Sequence, residues 1–271
     1  MTQRPENLAD YRKPPIDEVA IAVQFPAIEG CSNERLREFW KTVRQDYPFV
    51  ENQPRLEFPI ESPGPLESIT VQLQISSASP LNTRMWLISE TDDFLIQVQD
   101  TRFIQNWRHR SAEYPHFEQV RDLFWINFSK FREFLTKAGL PQPHIQQVEV
   151  TYINWVSELS IAQFLRPASE TAISVAGSMR EPEEQAWSAR YLIPNDLPVV
   201  ERLYAQASPA ARAQDPALRG TQFSLVVRAA NIGGIADADA ERLIDDARVI
   251  IVEAFTGLTT PSAQQSWERS H

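Results

Sequence analysis

The chain has 271 residues, 42% of them hydrophobic, and a formal net charge of −10. Length and apolar content allow one large domain or two small ones with a substantial core, and they exclude global disorder. The negative balance argues against a dedicated nucleic-acid binder, which needs a basic surface for phosphates, and the single cysteine, Cys31, excludes an intramolecular disulfide or a multi-cysteine metal cluster.

Residues 1–13 are polar and are expected to form a flexible arm, without the apolar core of a signal peptide. No apolar run approaches the roughly 20 residues that span a bilayer, so a cytoplasmic protein is expected. Val19, Ile21, Val23 and Phe25 alternate with other residues and predict a strand. Ser32 or Asn33 can cap a helix over 33–47, with Leu36, Phe39, Trp40 and Val43 as its stripe. The proline-rich stretch 48–66 predicts irregular chain. Residues 68–76 alternate as a strand, and 84–90 and 93–99 predict a hairpin around Thr91-Asp92-Asp93.

Residues 100–114 read as the approach to the most apolar stretch, Tyr114 to Leu140. Phe117, Val120, Phe124, Phe128, Phe131, Phe134 and Leu135 recur there at helical spacing, and Gly139 supplies a stop. A helix this aromatic needs a broad apolar surface, and a sheet provides one. A strand follows over 145–156, then a short helix at 158–166 and strands at 171–179 and 185–193. Residues 197–219 are polar and alanine-rich and read as an excursion, part of it helical. A strand is expected at 221–230 and a last helix at 237–255, closed by Gly257 and Pro261, with Leu243, Ala247, Ile250, Ile251 and Ala254 as its stripe. The tail 261–271 is polar apart from Trp267.

Two halves, 14–140 and 141–260, show the same order of elements. Pro14-x-Ile16-x-x-Val19-x-Ile21 matches Pro143-x-Ile145-x-x-Val148-x-Val150, and Phe94-x-Ile96-x-Val98 matches Phe223-x-Leu225-x-Val227 at the same separation. Any two alternating strands can be slid into register, but shared order and shared separation favour an internal duplication. The expected fold is α+β: antiparallel sheet, in one piece or two, with long helices packed on one face. The order fits a TATA-box-binding-protein-like or helix-grip topology by analogy.

The sheet face left open would carry Gln72, Gln74, Gln97, Gln99, Gln147, Glu149, Thr151, Ser188, Arg190, Ser224 and Arg228. A solvated antiparallel face is polar in any case. The glutamines lean toward recognition, because they donate and accept hydrogen bonds without charge. Arg102, Asn106, Trp107, Arg108 and Arg110 cluster before the aromatic helix, where arginine forks suit a phosphate or carboxylate; a solvated loop with Trp107 tucked inward is the plainer reading.

His109, His116, His144 and His271 lack partners at metal-ligand spacing. Gly233-Gly234 lacks the Lys-Ser/Thr of a phosphate loop. Asp237-x-Asp239 suits a helix start better than a metal. No catalytic, metal-binding or cofactor motif stands out.

Pro14-Pro15-Ile16-x-Glu18 in the first strand, Tyr152-Ile153-Asn154 in mid-chain and the closing helix with Trp267 together resemble a sporadically distributed family of uncharacterised bacterial proteins of similar length. The resemblance implies an arginine before Tyr-Ile-Asn; Thr151 stands there instead. It carries no activity, and implies at most an accessory or defence role. The candidate binding set is Gln97, Gln99, Arg102, Asn106, Trp107, Arg108, Thr151, Asn154, Arg190 and Arg228. The first reading is a non-enzymatic protein that recognises a protein partner or small ligand through a polar sheet face. The alternative is an enzyme on a phosphorylated or nucleotide substrate, with Arg102, Arg108, Arg190 and Arg228 as anion contacts and Glu149 as general base or metal ligand.

Overall fold

Val19, Ile21 and Val23 turn one way along the first strand, β1 (Ile16–Gln24), and Ala20, Ala22 and Gln24 the other. That alternation, repeated along the chain, fixes the architecture. The computed structural model describes residues 8–57, 59–64, 74–75, 83–168, 184–212 and 215–270. After β1 come α1 (Asn33–Val43), β2 (Phe49–Gln53), β3 (Leu56–Glu57), β4 (Gln74–Ile75), β5 (Arg84–Ile88), β6 (Phe94–Gln99), β7 (Arg102–Arg108) and α2 (Phe117–Lys137). The second half holds β8 (Gln147–Val156), α3 (Ile161–Phe164), β9 (Trp187–Ile193), β10 (Val200–Ala211), β11 (Arg219–Ala230), α4 (Asp237–Leu258) and α5 (Pro261–Ser266).

Among the described residues the protein is α+β. Nine strands form one antiparallel sheet in the order β2-β5-β6-β7-β1-β8-β11-β10-β9, and β3 pairs with β4 apart from it. The first half supplies β2-β5-β6-β7-β1 and the second β8-β11-β10-β9, so the halves meet at β1–β8 in one continuous sheet. Both run from a first strand through antiparallel strands into a long helix. The match of Phe94 with Phe223 does not follow this order. Phe94 lies in β6, whereas Phe223 lies in β11, the neighbour of β8 and thus the counterpart of β7. Alternating strands slide into false register easily, as this pair did.

The helices lie on one face. Here α1 packs on α2 and near β5 and β6, α2 lies on β7 and β1, and α4 lies on β8 and β11. The aromatic stripe of α2 is buried as its spacing predicts. Phe131 is its hub: its ring lies 5.2 Å from Phe39, 5.5 Å from Phe103 and 6.4 Å from Phe25. Gly139 takes φ 67°, a conformation that suits glycine, and lets Leu140 N donate to Leu135 O at 2.9 Å, which ends the helix. The second long helix buries Ala240, Leu243, Ile244, Ala247, Ile251 and Phe255.

Several expectations are corrected. Residues 49–53, read as irregular, form edge strand β2; five residues between Pro48 and Pro54 are too few to show a period. The approach segment contains β7, buried along its whole length. Gln105, and the polar Arg102, Asn106 and Arg108 on the other face, hid its alternation. Residues 200–211 form β10, where Leu203, Ala205 and Ala207 face the helices; small alanines had suggested helix instead. Gly257 lies within α4, and Pro261 begins α5 rather than closing the previous helix. Trp267 is buried 5.1 Å from the Phe255 ring, and Tyr11 of the expected arm bridges to Arg269. The strand expected at 171–179 lies outside the described residues.

Replacing the hub ring, Phe131→Ala, is expected to cost about 3–5 kcal/mol, the range for an aromatic truncated in a packed core. Urea unfolding followed by circular dichroism measures this as a lower midpoint at unchanged slope.

Candidate functional site

Strand alternation places Gln97, Gln99, Arg102, Asn106, Arg108, Thr151, Arg190 and Arg228 together on the face away from the helices, as the sequence implies. Trp107 and Asn154 turn the opposite way, toward the helices. The face is not an open solvated surface, however. Gln97, Gln99, Arg102, Asn106, Arg108 and Arg228 are all buried.

The cause is the chain that follows β2. Residues 54–57 and 59–64 lie over this outer face as a strap. Leu56 seats on Ala20, Ala22 and Ile104, a small apolar cluster separate from the main core. Gln99 clasps the backbone there: its Nε2 donates to Leu56 O at 2.9 Å and its Oε1 accepts from Leu56 N at 3.1 Å. Arg55 pairs with Asp100. Further on, Glu61 N donates to Gln147 Oε1 at 2.8 Å. The Glu61 carboxylate accepts from Arg202 Nη1 at 2.6 Å and from the Tyr204 hydroxyl at 2.7 Å, with Arg228 Nη1 at 3.7 Å. Glu61, Arg202 and Tyr204 carry no sequence signal, because they fall in stretches read as irregular chain or excursion.

Of the residues proposed for the enzyme reading, Arg102, Arg228 and Glu149 do converge. Arg228 Nε donates to Glu149 Oε2 at 2.6 Å, and Thr151 Oγ1 lies 3.4 Å from the other oxygen. Burial alone would raise the Glu149 carboxyl, but Arg228 and Arg102 outweigh it and hold it below the ordinary range. Burial pushes Arg102 down to about 10. A carboxylate held so firmly in its charged form is a poor general base. Arg108 is elsewhere, paired with Asp92 and lying over the Trp86 ring. Arg190 sits opposite Tyr204 in the ladder. Gln97 links Arg84, Trp86 and Asn106, a network that ends on Glu18; burial raises the Glu18 carboxyl despite the Asn106 hydrogen bond.

The helix side holds a second arrangement, which the sequence did not reveal. A cavity of about 400 Å³ opens between the start of α2, the second half of α4, the ends of β7, β8 and β11, and residues 9–14. Trp107, Tyr114, Phe117, Tyr152, Leu225, Arg248 and Phe255 line it. Asp10, Arg12, Lys13, His109, Glu113 and His116 line it as well. The Tyr114 and Tyr152 hydroxyls lie 3.0 Å apart. Arg248 pairs with Glu118 at 2.9 Å. Trp107 Nε1 is buried and has no hydrogen-bond partner among the described residues. Burial pushes the Tyr152 phenol up to about 12 and raises Tyr114 as well, so both stay neutral donors at ordinary pH. Asn154 donates to Phe223 O at 3.0 Å and steadies the cavity wall.

Among the described residues, no group of three or more His, Cys, Asp or Glu side chains is placed to hold a metal ion, and no helix is long and apolar enough to cross a membrane. Cys31 is buried and its thiol is pushed up to about 12, chiefly by burial. The chain matches no protein-family model, and no curated protein is significantly similar to it.

Glu149→Gln is expected to cost about 3 kcal/mol at pH 7, as when one partner of a buried ion pair is removed. The folded carboxyl lies below its ordinary value of 4.5. Its contribution is therefore full above that pH and is lost as the pH falls through the folded value. The gap between wild type and variant, read from urea midpoints at pH 7 and at pH 3, shrinks at the lower pH.

Proposed function

We propose that this is a non-enzymatic binding protein whose small ligand enters the helix-side cavity. The observation that carries the reading is the cavity itself, about 400 Å³, with the paired Tyr114 and Tyr152 hydroxyls and Arg248 among its lining residues. Apolar walls with a few convergent polar groups are the usual make-up of a small-molecule site. The cavity's lining offers the Tyr114 and Tyr152 phenols and the Arg248 guanidinium, with His109, Glu113 and His116 beside them. A ligand with a ring or chain and one anionic or accepting group fits them, that group meeting Arg248.

The wider setting belongs to the same proposal. The shared order of the halves supports an internal duplication. The Pro14-Pro15-Ile16, Tyr152-Ile153-Asn154 and Trp267 features support membership in the sporadically distributed bacterial family, with an accessory, cytoplasmic role.

The probe 8-anilino-1-naphthalenesulfonate combines rings with one anionic group. It is expected to bind the folded protein saturably at one site, with fluorescence enhancement. Val252→Trp, which fills the cavity from α4, is expected to weaken binding at least tenfold while near-UV circular dichroism stays native. Unchanged binding to the filled variant overturns the reading.

A further inference from the structure

Arg202 of β10 and Arg228 of β11 stand directly opposite each other in the ladder. Like charges so placed repel unless an anion joins them. Glu149 serves Arg228 from one side. The anion for Arg202 is Glu61, and both groups are almost wholly buried, with side-chain exposures of 6% and 4%. The sheet makes no local provision for this carboxylate; it arrives on the strap.

The strap is held much as a bound peptide is held. Sheet side chains read its backbone: Gln99 takes both polar groups of Leu56, Gln147 takes the Glu61 N–H, and Arg202 Nη2 takes the carbonyls of Ser62 and Gly64, each at 3.0 Å. Two side chains anchor it, Leu56 on the alanine-floored cluster and Glu61 between the arginines and Tyr204. The floor is made of small residues, Ala20 and Ala22, which let another backbone lie close. None of these contacts depends on the strap belonging to the same chain.

We propose that the outer face is a peptide-recognition surface. Its occupant in trans is an extended segment of a partner protein, carrying an apolar residue followed five positions later by an acidic one. Residues 55–57 and 59–64 are its occupant in cis. The cis segment keeps the site closed through proximity, because a tethered ligand acts at an effective concentration on the order of millimolar. It can leave because one apolar side chain and a set of exchangeable polar contacts hold it. A buried ion pair adds little net stability once desolvation is counted, and segments with few apolar contacts open locally at low cost.

The test uses the full chain with the cis anchors removed, L56S/E61Q, and a fluorescent synthetic peptide of residues 54–64, PRLEFPIESPG. Fluorescence anisotropy is expected to show saturable binding to this variant, at least tenfold tighter than to the wild type. A peptide with glutamine in place of its second glutamate is expected to bind at least tenfold more weakly. A folded variant that ignores the peptide, or binds both peptides alike, overturns the proposal. Hydrogen exchange on the wild type gives a second reading that needs no variant. The Leu56 and Glu61 amides are expected to exchange at least tenfold faster than the amides of β1 and β8. Exchange of all of them at one common rate overturns it.

Discussion

The pairing of β1 with β8 is the constraint on which the rest of the molecule depends. Ile21 faces Val150, Val19 faces Tyr152 and Val23 faces Val148. A slip of one residue would send every side chain to the opposite face. The valines and isoleucines would leave the helices, and Glu149 and Gln147 would enter the core. Both the strap's seat and the cavity's floor inherit their identity from this register.

The two halves use the shared plan with different materials. The first half packs by rings, with Phe103, Phe124, Phe128 and Phe131 in mutual contact beneath α2. The second adds a ring cluster of its own, Phe164, Phe223, Phe255 and Trp267, beside the short Ala240 and Ala247 of α4. The cavity lies between them, bordered by Phe117 and Trp107 from the one half and by Leu225, Ile251 and Phe255 from the other.

The sequence displays which residues share a face, because side-chain period in a strand follows from covalent geometry alone. The alternation assigned Gln97, Gln99, Thr151 and Arg228 to the outer face, and the pairings agree. What lies above a face is set by long-range contacts that leave no local pattern. Glu61 meets Arg202 across 141 residues, and nothing around either announces the other. Strands with polar or very small inward residues also escape a hydrophobic count. Gln105 in β7 is buried with Tyr47 and Asn127 hydrogen-bonded to it, and Ala205 in β10 is buried although its side chain is small. The cavity was illegible for the same reason: its lining comes from residues 9–14, 107–117, 152, 225 and 248–255, with no two parts adjacent in sequence.

One wall of that cavity has an unusual support. Residues 10–13 are stitched to 267–270: Tyr11 bridges to Arg269, Arg12 N donates to Glu268 O, Lys13 N to Trp267 O and Ser270 N to Asp10 O. The wall at residues 10–13 therefore stands only while residues 267–270 are in place, and loosening that backbone pairing opens the cavity on this side.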